Sequence, residues 1–72
     1  MPSKKEYRLY VYCRRNDVTR DAGTHTRGKF SDDDSAIAAL TEEAQELLRP
    51  YDEIYCTIYE GERTVKKFTL RR

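Results

Sequence analysis

One amphipathic segment, residues 31–49, constrains the fold of this chain more than any other feature. It begins with Ser31, whose hydroxyl can cap a helix, and continues with three aspartates that suit the positive end of the helix dipole. Pro50 ends the segment because it disfavours helical geometry at the residue before it. Apolar side chains recur between these ends with the spacing of one helical face: Ile37, Leu40, Ala44, Leu47 and Leu48. The sequence therefore predicts one helix whose apolar stripe the rest of the chain must cover.

The rest of the chain has the side-chain alternation that is typical of strands. Residues 7–15 and 53–59 alternate along their length and are rich in β-branched and aromatic residues, which predicts two central strands. Residues 24–30 predict a weaker edge strand, and residues 63–70 predict the last strand. Residues 16–23 contain Asn, Asp and Gly without apolar periodicity, which predicts a loop.

The order of these elements, β-β-α-β-β, predicts a single α+β domain over residues 1–72, with residues 1–5 disordered. The loop lengths favour a four-stranded antiparallel sheet with spatial order 2-1-3-4, and order 2-1-4-3 is the alternative. The helix then covers one face of the sheet in a two-layer sandwich. A chain of 72 residues can build that core, but not an enclosed substrate cavity as well.

Alternation also divides the side chains of the strands between two faces. The register of the last strand stays open, because the hairpin around Gly61 can close in two ways. A three-residue loop of residues 60–62 pairs Ile54 with Phe68 and places Lys67 beside Tyr55, whereas a two-residue loop turns Val65 inwards and Phe68 outwards. The first register buries the larger side chain and is preferred. The residues predicted to face the helix are Leu9, Val11, Cys13, Ile54, Cys56 and Ile58.

The opposite face of the predicted sheet collects tyrosines and cations. A contiguous patch of this kind marks an interaction site more often than scattered aromatics do. Tyrosine and arginine are enriched at protein–protein hot spots, and the same pair can stack bases and meet phosphates of single-stranded nucleic acid. Tyr and Thr are also ordinary choices on a wet sheet face, so a purely structural role is the third interpretation. The predicted partner-binding residues are Arg8, Tyr10, Tyr12, Arg14, Tyr55, Tyr59 and Lys67.

Charge is unevenly distributed although the net charge is only +1. Residues 1–31 sum to +5, residues 32–53 to −7 and residues 54–72 to +3. The helix region is therefore acidic and both sheet regions are basic. The acids have ordinary roles, at the helix dipole and on a solvated face, but they also form a stripe that a basic partner would recognise.

Catalytic and metal-binding patterns are not apparent in the sequence. His25 is the only histidine and lies in a polar segment without an evident nucleophile, and with Cys13 and Cys56 it falls short of the four ligands of a structural zinc site. We therefore expect a non-enzyme without cofactor or metal. No apolar run predicts a membrane span or a secretory signal, and two cysteines are too few for a secreted disulfide framework, so we expect a cytoplasmic protein. The sequence predicts a binding module, an inhibitor or adaptor, that docks on a protein partner or on a second copy of itself, with single-stranded nucleic acid as the alternative.

Overall fold

The fold is one antiparallel sheet with one helix packed on it. The computed structural model describes residues 4–72, and the four strands lie in the order β2-β1-β3-β4. This arrangement confirms the predicted α+β fold and the strand order 2-1-3-4. The elements are β1 (Lys5–Arg15), β2 (Val18–Phe30), α1 (Asp33–Leu47), β3 (Glu53–Glu60) and β4 (Arg63–Arg71).

The second strand is much longer than its sequence indicates. The loop prediction for residues 16–23 is wrong, because Asn16 and Asp17 make a two-residue turn with φ of 53° and 64° and β2 begins at Val18. Asn and Asp tolerate this left-handed geometry, which matches the twist of a tight hairpin. The strand was hidden because β2 is an edge strand whose side chains are mostly exposed, so it has no apolar alternation. Of residues 1–5, predicted to be disordered, residues 1–3 lie outside the described part of the chain, and Lys5 already belongs to β1.

The helix begins one residue later than predicted. Asp32, not Ser31, is the N-cap, and its carboxylate accepts a hydrogen bond of 2.7 Å from the backbone N–H of Ser35. This bond also holds the pKa of Asp32 below its ordinary value. The helix ends at Leu47, before Pro50 as expected. A carboxylate at the N-cap accepts a hydrogen bond from a free amide and also interacts favourably with the helix dipole. An uncharged serine hydroxyl can do only the first.

The core lies between α1 and the inner face of the sheet. On the helix, the buried residues are Ala36, Leu40 and Ala44, whereas Ile37 and Leu47 are only half-buried. The two alanines let the helix approach the strands closely, and Leu40 is the one large helix side chain that is fully buried. The sheet contributes Tyr7 and all of the residues that were predicted to face the helix: Leu9, Val11, Cys13, Ile54, Cys56 and Ile58.

The β3–β4 hairpin follows neither of the two predicted registers. Its turn has two residues, Gly61 and Glu62, with Gly61 at φ 62°, yet Phe68 still packs against the core. A bulge at Val65, which has no partner on β3, reconciles these features by shifting the strand by one residue. Phe68 therefore lies opposite Cys56 and Lys67 opposite Thr57, rather than opposite Ile54 and beside Tyr55.

A chain of polar contacts fixes the start of α1 to the sheet. The buried hydroxyl of Tyr7 donates a 2.6 Å hydrogen bond to Asp33, and the Arg63 guanidinium donates two bonds, of 2.8 and 3.1 Å, to the same carboxylate. Arg63 and Tyr7 together lower the pKa of Asp33 to about 2, and the bond to Asp33 raises the pKa of Tyr7 to about 12. These contacts join β1, α1 and β4 at one end of the molecule.

We predict that the contacts of Asp33 make the free energy of unfolding depend on pH between neutral pH and about pH 2. Because folding lowers the pKa of Asp33 from 3.8 to about 2, its stabilisation is complete above the higher value and is lost as the pH falls through the lower one. The difference in unfolding free energy between the wild type and Asp33→Asn should therefore shrink between neutral pH and about pH 2. Urea unfolding at several pH values measures it. The control Asp34→Asn leaves the contacts of Asp33 intact and should not remove this dependence, and a constant difference for Asp33→Asn would contradict the assignment.

Candidate functional site

The outer face of the sheet, turned away from α1, carries all of the predicted partner-binding residues. Strand alternation and the β1–β3 register bring them together, since Arg8 lies opposite Tyr59, Tyr12 opposite Tyr55, and Tyr10 opposite Thr57. Lys67 lies on the neighbouring strand, opposite Thr57. Arg14 lies at one end of the same face, opposite Glu53.

Three of the tyrosines form a continuous row, which we call the tyrosine row: Tyr12, Tyr10 and Tyr59. The ring centroids of Tyr10 and Tyr12 are 5.5 Å apart and those of Tyr10 and Tyr59 are 6.5 Å apart, both edge to face. The guanidinium of Arg8 lies 4.8 Å from the centroid of Tyr59 and extends the row by a cation–π contact. The row crosses the sheet from β1 to β3 and gives this face a rigid aromatic surface.

The four outer tyrosines differ in exposure. Tyr12 is 42% exposed and its cross-strand neighbour Tyr55 is 37% exposed, whereas Tyr10 and Tyr59 are partly buried. The hydroxyl of Tyr10 donates a 2.5 Å hydrogen bond to Asp21, which raises the pKa of Tyr10 well above its ordinary value. Tyr12 and Tyr55 are therefore the more accessible rings of this face.

One end of the face carries an ion cluster around the buried Glu53 that sequence reasoning missed. Glu53 is only 5% exposed, and its two oxygens accept hydrogen bonds from Arg14 at 2.8 Å and from Arg71 at 3.2 Å. Arg14 also lies 3.8 Å from Asp17. The charge of Arg14 is therefore balanced within the domain, so its first role is structural. The signal was present in the sequence, since alternation places Glu53 and Arg14 on the same face of adjacent strands.

Four cations of the outer face have no ion pair among the described residues: Arg8, which lies against Tyr59, and Arg27, Lys29 and Lys67. Arg27 on β2 and Lys67 on β4 lie at opposite edges of the sheet, and both are exposed. Arg27 lies opposite Arg8 and Asp21 lies opposite Tyr12. Neither Arg27 nor Asp21 was predicted to belong to this face, because residues 16–23 were predicted to form a loop and residues 24–30 a weak edge strand. The face thus has an aromatic centre with free cations at its margins.

The two cysteines lie on the inner face of the sheet, away from these residues. Both are free and buried, and the register places Cys13 opposite Ile54 and Cys56 opposite Val11, so they do not face each other directly. Burial raises the pKa of both thiols, that of Cys56 to about 11. At neutral pH both groups are therefore protonated thiols, which are weak nucleophiles.

Comparison with protein-family models, with curated proteins and with solved structures found no significant match. Among the described residues, no helix has the length and apolar character needed to cross a membrane. The geometry of the outer face is therefore the basis for a functional proposal.

Proposed function

We propose that this protein is a non-enzymatic binding module that acts by occupancy, as an inhibitor or adaptor, through the outer face of its sheet. The observation that carries the proposal is the exposed pair Tyr12 and Tyr55, held side by side on the uncovered face of a rigid sheet. Tyrosine offers a large amphipathic contact area with few rotamers to immobilise, which suits a protein interface. The two unpaired cysteines fit a reducing compartment such as the cytoplasm.

The packing of the rings favours a protein partner over single-stranded nucleic acid. The rings of the tyrosine row meet at 61° and 86°, so each ring edge covers part of the next ring face and leaves less area for a base to stack. Asp21 also lies within the face, opposite Tyr12, and its exposed carboxylate would repel a phosphate at that point. A protein surface can instead meet hydroxyls, ring edges and cations together.

The protein-binding proposal predicts a large effect of removing the exposed rings. Tyr12→Ala combined with Tyr55→Ala should abolish capture of a protein partner from lysate, because both accessible aromatic anchors are lost. The thermal midpoint should change little, since these rings are the least buried of the outer tyrosines. Val18→Ala is the matched control, because it removes an exposed apolar side chain, 54% exposed, from the turn end of β2. Loss of capture with Val18→Ala, or unfolding of the double variant, would contradict the proposal.

The alternative, single-stranded nucleic acid, gives a different result. Arg27 and Lys67 would then neutralise phosphates, and binding of an oligothymidylate should weaken steeply as salt rises because counterions are released. Fluorescence anisotropy at low and high salt measures this. We expect no binding at low salt, and salt-sensitive binding that is lost in the Tyr12 and Tyr55 double variant would favour the alternative.

A further inference from the structure

Three glutamates in the second half of α1 form no hydrogen bond or ion pair with the sheet in the described part of the chain. Glu42, Glu43 and Glu46 are all exposed, and Glu46 lies in the last turn, where the dipole disfavours negative charge. No basic residue occupies the last turn, and Glu46 is only 3.7 Å from Arg49, in an exposed contact. The aspartates at the start of α1 differ from them, because Asp32 caps the helix and Asp33 binds Arg63. The charges of these glutamates are therefore exposed on the helix and accessible to a partner.

The opposite side of the molecule has the opposite charge. On the outer face of the described strands, basic residues outnumber acidic ones by six to three. The acidic residues there are Glu6, Asp21 and Glu53. The basic residues are Arg8, Arg14, Arg27, Lys29, Lys67 and Arg71. The sheet and the helix form two layers, so the basic face and the acidic face point in opposite directions.

We propose that the outer sheet face binds the acidic helix surface of a second copy of this chain, in a head-to-tail arrangement. The aromatic centre of the face would contact the helix, and Arg27 and Lys67 would approach Glu42, Glu43 and Glu46. This inference rests on the proposed function, because it uses the same face and names its occupant. Charge complementarity between two surfaces that the same chain carries favours a second copy as the occupant.

Charge also disfavours the symmetric arrangement of two copies. A two-fold dimer through the outer face would place Arg27 and Lys67 of one copy against the same basic face of the other, and like charges across an interface are unfavourable. Head-to-tail contacts do not have this conflict. They leave a free basic face at one end and a free acidic surface at the other, so association does not stop at a dimer.

Sedimentation velocity of the full chain tests the inference directly. The average mass should rise with protein concentration without a plateau at the dimer, and it should return to the monomer when salt is raised from about 0.01 M to about 1 M, because the Debye length falls from ~30 Å to ~3 Å. A protein that stays monomeric at every concentration in low salt would overturn the inference. A discrete dimer that persists in high salt would overturn it as well.

Charge reversal identifies the two surfaces. Glu42→Lys with Glu43→Lys should abolish self-association, and so should Arg27→Glu with Lys67→Glu, while a mixture of these two variants should associate again because opposite charges then meet. The matched control is Arg20→Glu with Lys66→Glu, which makes the same change in charge on β2 and β4 but on the helix side of the sheet, at exposed and unpaired positions. This control should still self-associate. Equal loss in the control, or no recovery in the mixture, would overturn the inference.

The result separates this inference from the proposed function. If the protein is monomeric but the Tyr12 and Tyr55 double variant loses capture of a foreign protein, the second copy is the wrong occupant and the binding face is retained. If the double variant retains both self-association and capture, the inference and the proposed function fail together.

Discussion

Leu40→Ala is expected to remove much of the stability of this domain. Leu40 is 1% exposed and is the only large helix side chain fully buried against the sheet in the described part of the chain. Truncation of a buried leucine costs roughly 2–5 kcal/mol, through lost burial and the cavity left behind. A domain of this length has a total stability of roughly 4–11 kcal/mol at typical values per residue. The thermal midpoint, followed by circular dichroism, should fall by roughly 10–30 °C.

Leu47→Ala is the control for this prediction. It makes the same chemical change on the same helix at a half-buried position, so it should cost clearly less. Equal losses at Leu40 and Leu47 would show that α1 packs by a different face, and the division of the sheet into covered and open sides would then be wrong.

Glu53→Gln is expected to be the most damaging change on the outer face. The substitution keeps the shape of the side chain but removes the charge that holds Arg14 and Arg71. Hydrogen bonds to charged groups and buried polar groups left unpaired each account for roughly 1–3 kcal/mol, and the exposure of Arg71 keeps the expected loss within about that range. Urea unfolding measures the loss as a shift of the midpoint.

Glu62→Gln tests whether the effect belongs to the buried cluster. Glu62 is exposed in the β3–β4 turn, and an exposed substitution of this kind usually changes stability by less than about 0.5 kcal/mol. If the two variants lose equal stability, Glu53 is not a structural ion pair, and Arg14 would be available to a partner after all.

The sequence was sufficient to predict the layers, the strand order and the faces of the central strands, and the reason is physical. Leu9, Val11, Ile54 and Ile58 alternate because one face of each central strand is buried and the other is not. The same alternation placed the tyrosines together on the outer face. These features follow from the burial of one face of each central strand, because such burial makes apolar residues recur at every second position.

The errors fall where burial leaves no such period. Strand β2 is an exposed edge, so the turn at Asn16 and Asp17 was taken as part of a loop. The bulge at Val65 lets a two-residue turn coexist with a Phe68 that packs against the core, and strict alternation along the strand does not predict such a bulge. The buried face of the helix also differs from the predicted one. Ala36 is buried against the sheet, whereas the larger Ile37, which was predicted to lie on that face, is only half-buried. The hydrogen bond from Tyr10 to Asp21 was also not predicted, because it required the extent of β2 to be known.

Covalent footprinting of the tyrosines most directly tests the claim that the outer face is open and offers Tyr12 and Tyr55 to a partner. Nitration by tetranitromethane, read by mass spectrometry at low protein concentration, should modify Tyr12 and Tyr55 first and Tyr7, which is 1% exposed, last. Addition of the captured partner should then protect Tyr12 and Tyr55. Rapid nitration of Tyr7, or protection of Tyr12 and Tyr55 in the isolated monomer, would contradict the account.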